Sequence, residues 1–533
     1  MSDADKLIKL IHRTFNIYGL SITRKLSTII SKHLLNNPKT NAEEWLTKIV
    51  EQILTQNLNT PHITLDHIKI ALQETVKPES HLQNTETVFN VINAFKVPKI
   101  VYDLNKKKYV MREKCQELFP DAKFKSQVFK DRLDLLWYRT LKHAIFAPSK
   151  FGKVDEKKLE LVPIEYLLSE SKTNNVCVMG LLAQLTEGMY YLEDYGGAVK
   201  VNLKNAVYSS SLIMEGSIVL AKGRYIDGVL EVENIDFPPT EDPDLGRLNF
   251  AEANTFGGPH PTSLRLSEKL KTYIDSNSGN YLIFISEFWV DSEIALNKFK
   301  TLLSGFSDYP PVACVLFGHF LSSPIDKESP KQLEEGFKKL ASIVAEFSLI
   351  REHTNFVFVP GPFDLGAPKI LPRPSIPKCI MENFMKVVPG THLATNPCRI
   401  QYCTREIVAF RDNMISKLCR NTLKYPNKPD EENEEVGEKV YEAFAKSIIR
   451  QSHLAPLLFS VSPVYWKHDQ ALQLYPIPDL VVVADDFQAY TTEYSGCKVI
   501  NPGPFVKGNF SFTLYVPGEE NKVEESNLPE DDS

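Results

Sequence analysis

The 533-residue chain has no Cys-x-x-Cys pair, no apolar run of membrane length and no excess of positive charge. Each absence removes a class of function. Eight cysteines, at 115, 177, 314, 379, 398, 403, 419 and 497, have spacings that match neither a disulfide framework nor a structural zinc site, so free thiols are expected. A membrane-spanning helix needs about 18 or more consecutive apolar residues, and no stretch supplies them. The opening Met1-Ser-Asp-Ala-Asp-Lys6 lacks the basic and apolar regions of a secretory leader, which makes a soluble, intracellular chain with no membrane partner the expectation. Lys and Arg number 61 against 67 Asp and Glu, a net charge of −6, so there is no global attraction to nucleic acid and any DNA contact would be local.

What is present falls into five stretches. Residues 1–76 carry four apolar stripes at helical spacing, for example Leu7, Leu10, Ile11 and Phe15, with Tyr18-Gly19 as a stop. Asn41 to Glu44 forms a capping box for the third helix, in which Trp45, Leu46 and Ile49 face a core. Residues 77–159 read as a linker with amphipathic pieces such as 128–143, and Lys106-Lys-Lys108 reads as a solvated loop rather than an import signal. From 160 to 240 the period changes to two. Five short strands with glycine-containing turns, and Gly180 inside the first, predict an OB-type barrel. From 241 to 517, apolar strands alternate with helical stretches and predict an α/β sandwich, interrupted by an acidic insertion at 427–438. Residues 518–533 are acidic and read as a disordered tail. The fold class expected is multidomain α+β.

The informative positions follow the apolar strands of the sandwich. A two-metal phosphoesterase places Asp, His and Asn ligands at successive strand ends, as Asp-x-His, Gly-Asp, Gly-Asn-His, a lone His and Gly-His-x-His. They hold two ions about 3.5 to 4 Å apart. Here the corresponding segments are Ser286-Glu287-Phe288, Gly318-His319, Gly361-Pro362-Phe363-Asp364, Ser452-His453 and Ala484-Asp485-Asp486-Phe487. Ser286 and Phe288 stand where the first Asp and His are needed, Pro362 and Phe363 where an amide and a His are needed, and Phe487 in the last segment. Phenylalanine and proline cannot ligate a hard cation. His319, Asp364, His453 and Asp485 remain as polar groups, so the expectation is no catalytic residue, no metal and no cofactor. The alternative is a divergent phosphodiesterase or nuclease holding one ion with those four.

Asn396-Pro-Cys-Arg-Ile-Gln-Tyr-Cys-Thr-Arg-Glu-Ile407, Pro463-Val-Tyr-Trp-Lys467, Tyr475-Pro-Ile-Pro-Asp-Leu480 and Asn501-Pro-Gly-Pro-Phe505 resemble the B-subunits of DNA polymerase epsilon. The resemblance covers nearly the whole chain and implies a helical domain similar to the lid of AAA+ ATPases, an OB fold and a calcineurin-like phosphoesterase domain without its metal site. It implies a nuclear, non-catalytic scaffold in DNA replication. The implied partners are the zinc-bearing C-terminal domain of the polymerase's catalytic subunit, the small histone-fold subunits and components of the replicative helicase. B-subunits of polymerase alpha or delta are the neighbouring alternative. Tyr190, Tyr191 and Tyr195 offer rings to single-stranded DNA, but Glu193 and Asp194 among them would repel phosphate, which favours packing or a protein interface and leaves DNA contact indirect. Arg399 and Arg405 in the family motif read as a solvated face.

Overall fold

The computed structural model describes residues 3–18, 20–35, 46, 49, 50, 53, 63, 67, 68, 88–112, 117–147, 158–209, 211–366, 369–424, 439–518 and 521–529. The chain divides into two units, Met1–Glu86 and Thr87–Ser533.

In the first unit, helices Asp3–Ile17 and Arg24–Leu35 turn their apolar stripes inward. Ile11, Phe15 and Ile30 are fully buried with Leu46, Ile49, Val50, Ile53 and Ile68, the positions that the third and fourth stripes select. The capping box at 41–44, Trp45 and the acidic insertion at 427–438 lie outside the described residues.

The second unit begins with β1 (Phe89–Asn93), then a hairpin of β2 (Lys99–Asp103) and β3 (Lys108–Arg112), then a helix at Lys123–Lys142. Lys106 and Lys107 sit in the exposed turn of the hairpin. The barrel follows: β4 (Lys172–Thr186), β5 (Met189–Glu193), β6 (Ala198–Asn202), β7 (Val207–Tyr208), β8 (Ile218–Ile226) and β9 (Val229–Asp236). Their order is β6-β5-β4-β8-β9-β7, and a parallel β6–β9 pairing closes the sheet. Gly180 permits the close pairing of β4 with β5, since a Cβ there would lie 2.9 Å from the Glu193 carbonyl oxygen. The helix Lys123–Lys142 packs Leu133, Leu135 and Leu136 against Cys177, Met179 and Ile218 of the barrel.

The remainder is a sandwich of two six-stranded sheets. In one, β10 (Leu282–Ile285), β11 (Ala313–Phe317), β12 (Asn355–Val359) and β13 (Thr391–Leu393) run parallel, with β19 (Ser511–Val516) and β20 (Lys522–Asn527) antiparallel beside β10. The other has the order β1-β14-β15-β16-β18-β17, from β14 (Cys398–Tyr402), β15 (Arg405–Arg411), β16 (Leu480–Ala484), β17 (Tyr490–Tyr494) and β18 (Cys497–Asn501).

The two-residue alternation of strands divides the core. Phe284, Val315 and Val357 meet Ile400, Ala409 and Val482 between the sheets. Ile285, Leu316 and Phe358 face the helices Glu293–Gly305, Ser329–Ala345 and Lys378–Val387 on one outer side. Val408, Phe410, Val481 and Val483 face helix Val440–Arg450 and the barrel on the other. Both faces of the central strands are therefore dry, which explains their continuous apolar runs.

Three readings of the sequence change. The linker contains β1, whose residues pair Phe89 to Asn93 with Tyr402 to Cys398 and extend a sandwich sheet. The helix assigned to the linker belongs with the barrel. The acidic tail contains β20, paired through Ser511↔Asn527 to Val516↔Lys522. In both strands the missing signal is apolar alternation: an edge strand is held by backbone hydrogen bonds, so Glu524 and Glu525 can stay exposed without loss.

Candidate functional site

The four strand ends converge at one edge of the sandwich. After β10, Ser286 and Phe288 are fully buried and Glu287 nearly so, with Glu287 at φ 50°. That left-handed conformation is unusual for a side-chain-bearing residue, and it accompanies a carboxylate whose partners are all basic. Phe288 is core: its ring lies 4.9 Å from Phe299 and 6.0 Å from Phe505. The Ser286 hydroxyl has no hydrogen-bond partner.

After β11, His319 packs its ring 4.9 Å from Phe363 and holds Nδ1 3.7 Å from Glu287 Oε1. Burial, then Arg411, Lys507 and Arg373, push its pKa down to about 3, so it is neutral. After β12, Pro362 is buried while the Phe363 ring is half exposed under the Lys369 ammonium at 4.3 Å. Asp364 turns inward, where its carboxylate accepts from the Phe320 N–H at 2.8 Å and the Gly361 N–H at 2.6 Å. Gly318 is required beside it, because a Cβ would fall 1.7 Å from Asp364 Oδ2. After β16, Asp485 accepts from the Ile415 N–H at 2.9 Å through Oδ2, and its Oδ1 is buried without a partner. Phe487 is half-buried against Tyr490.

His453 lies elsewhere. It follows helix Val440–Arg450, accepts the Ala455 N–H on Nδ1 at 3.0 Å and makes a 3.2 Å hydrogen bond from Nε2 to Asp469 Oδ1. Arg132, from the helix against the barrel, binds the same carboxylate with Nη2 at 2.5 Å and Nε at 3.1 Å. Burial and then Arg132 depress the His453 pKa, which fits the neutral Nε2–H form. Burial pushes Asp469 up, but Arg132 and His453 outweigh it and hold the carboxyl below its ordinary range. The proposed single-ion set of His319, Asp364, His453 and Asp485 therefore does not assemble. Among the described residues, no three His, Cys, Asp or Glu side chains form a group suited to a metal ion.

The residue that joins the ends of β10, β11 and β16 is Arg411, the last residue of β15, which no sequence motif singles out. Its guanidinium is fully buried. Nε donates to the Gly318 carbonyl at 2.5 Å, Nη2 to Glu287 Oε1 at 3.0 Å, and Nη1 to Asn413 Oδ1 at 2.6 Å and the Ala484 carbonyl at 3.0 Å. Around it, Lys507 reaches Glu287 at 3.2 Å, while Arg373 and Lys417 reach Asp412 at 3.3 and 2.8 Å. Asn396, the first residue of the family motif, fastens β12 to β15. Its amide donates to the Pro360 and Arg411 carbonyls and accepts the Arg411 N–H. Arg399 is buried rather than solvated, donating to the carbonyls of Thr255, Phe256 and Gln473. Arg405 is partly exposed and donates to the Pro517 carbonyl.

Two carboxyls in this region are set against ionisation. Burial raises Asp364 to about 6, against the pull of the Phe320 and Gly361 N–H groups; burial and then Asp486 raise Asp485 to about 7. With unfolded carboxyls near about 4, the native state keeps protons that the unfolded chain has released across that window. Stability is therefore expected to fall as pH rises from about 4 to about 7, between the unfolded pKa and the two folded values. Asp485→Asn, which keeps the acceptor for Ile415, is expected to flatten the fall; urea-denaturation midpoints across the range check it.

Comparison with known proteins places the chain as a whole. Family models match in chain order: the DNA polymerases epsilon N terminal at residues 3–75, the DNA polymerase epsilon subunit 2-like OB-fold domain at 122–239, and the B-subunit of DNA polymerases alpha and epsilon at 282–492. Proteins named DNA polymerase epsilon subunit 2 from Homo sapiens and Bos taurus are each 36% identical over 522 residues, covering 96% of this chain and 97% of theirs. The chain belongs to the DNA polymerase epsilon subunit 2 family. The Drosophila melanogaster member is 35% identical over 530 residues, 98% of each chain. Among solved structures, an archaeal phosphodiesterase aligns at 13% identity and a TM-score of 0.26, over 46% of this chain and 99% of its own.

For a subunit 2 family member, the start of the OB-fold match at residue 122 agrees with the packing of the Lys123–Lys142 helix on the barrel. The barrel tyrosines also have protein partners. Tyr195 donates to the Lys130 carbonyl of that helix at 3.2 Å, with the Lys130 ammonium 5.6 Å from its ring, and Tyr190 packs at the edge of the barrel core.

Proposed function

We propose that this chain is a non-catalytic accessory subunit of the DNA polymerase epsilon holoenzyme. In this reading it scaffolds the complex in the nucleus by binding the zinc-bearing C-terminal domain of the catalytic subunit. The observation that carries the reading is identity of 36% to subunit 2 proteins across 96% of the chain, with the three family models in order. The residues at the strand ends support it chemically. Phe288 and Pro362 offer no ligand atom, Asp364 is committed to two backbone N–H groups, and His453 to Asp469. The phosphoesterase-like sandwich then serves as a rigid surface, and its former chemistry is not needed. The remaining partners in this reading are the histone-fold subunits and the replicative helicase, with DNA reached through them.

The test is co-purification of the full chain with the C-terminal domains of the epsilon, alpha and delta catalytic subunits. A stoichiometric complex with the epsilon domain alone is expected. Preference for the alpha or delta domain, or no complex with any, would overturn the assignment.

A further inference from the structure

The ends of β10, β11, β15 and β16 present oxygen atoms to one enclosed point: Glu287 Oε1, the Gly318 carbonyl, Asn413 Oδ1 and the Ala484 carbonyl. Such a convergence of acceptors ordinarily surrounds a cation, since oxygen lone pairs facing one another in a dry interior repel and are left unsatisfied. Here the cation is part of the chain. We propose that the Arg411 guanidinium is a built-in substitute for bound metal, a covalently tethered cation that holds the ends of β10, β11 and β16 to that of β15 through its charge. The inference concerns the sandwich itself and stands whether or not the partner assignment above holds.

Four observations support it. Arg411 contacts the ends of three other strands, β10, β11 and β16, besides Asn413 of its own loop. It has no exposed surface, and a guanidinium is seldom buried without compensation. The compensation is local: Glu287 takes both Arg411 and Lys507, and Asp412 takes Arg373 and Lys417, so acids and bases alternate around the point. The backbone is also shaped for it, through the left-handed φ of 50° at Glu287, the residue whose carboxylate takes Arg411. The planar fork suits acceptors spread over several directions better than a lysine ammonium does.

The test uses the full chain and reads thermal midpoints. Arg411→Lys retains charge without the fork and Arg411→Met retains length without charge, so the expected order is wild type, then Lys, then Met. Arg411→Ala leaves a cavity of guanidinium shape. Millimolar guanidinium is expected to raise its midpoint, and urea, the neutral molecule of similar shape, is not. A methionine variant as stable as wild type, or equal recovery with urea, would show that Arg411 acts by packing and would overturn the proposal. If the Arg411 variants do not fold, Glu287→Gln is scored in the same way. Loss of midpoint on removing that one negative charge supports the cation site, and no loss rejects it.

Discussion

Phe288→His, which introduces a ligand type at the first strand end, is expected to destabilise the sandwich by about 3 to 5 kcal/mol and to bind no metal. The reasons lie in the packing. Phe288 is fully buried between Phe299 and Phe505, in the same cluster as Ile285, Leu316 and Phe337. An imidazole there loses apolar volume and places two nitrogens among the rings of Phe299 and Phe505. Phe288→Leu, by contrast, keeps an apolar side chain and should cost far less. Urea denaturation of the full chain, followed by the fluorescence of the adjacent Trp289, separates the two. A histidine variant as stable as the leucine variant would show that the position is not core.

Arg132→Ala is expected to cost a similar amount, about 3 to 5 kcal/mol, because it leaves Asp469 as a buried charge with only a neutral histidine beside it. Arg132 comes from the helix that packs on the barrel, and Asp469 from the turn at Trp466–Leu472 in the sandwich sequence. The pair therefore fastens two parts of the second unit together. In the variant His453 becomes the sole partner of Asp469, and its pKa should rise from its depressed state once the Arg132 charge is gone. Replacing both residues, as Arg132→Met with Asp469→Leu, should recover most of the loss, since a well-packed apolar pair avoids the desolvation cost. A double-mutant cycle read by denaturation, with NMR titration of His453, checks both parts. Independent additive losses would contradict a coupled pair.

The parts of this fold that were legible in the sequence are those in which one period runs unbroken. The barrel strands alternate at period two, the N-terminal stripes recur at helical spacing, and the sandwich strands are apolar because both faces are covered. β1 and β20 escaped because they are edge strands held by backbone bonds, with side chains that look like linker or tail. The site was read by subtraction, from Phe288, Pro362 and Phe363, side chains without a ligand atom at strand ends. Its replacement was not legible. Arg411 closes the strand Arg405–Arg411 as any surface arginine would, and its partners, Glu287, Gly318 and Ala484, lie up to 124 residues away in the chain. A lone histidine such as His453 likewise has no local pattern from which its partners can be read. Only the fold shows that Asp469, itself held by Arg132, already claims it.

Strand ends that bind no metal are the central claim for this sandwich. The most direct measurement is calorimetric titration of the purified full chain with Mn²⁺, followed by a phosphodiester hydrolysis assay on the same sample. No saturable binding and no hydrolysis above background are expected, because Asp364 is bound to backbone N–H groups, His453 is remote, and Arg411 already occupies the point where the strand-end oxygens meet. Two equivalents of tightly bound Mn²⁺ with metal-dependent hydrolysis would contradict it.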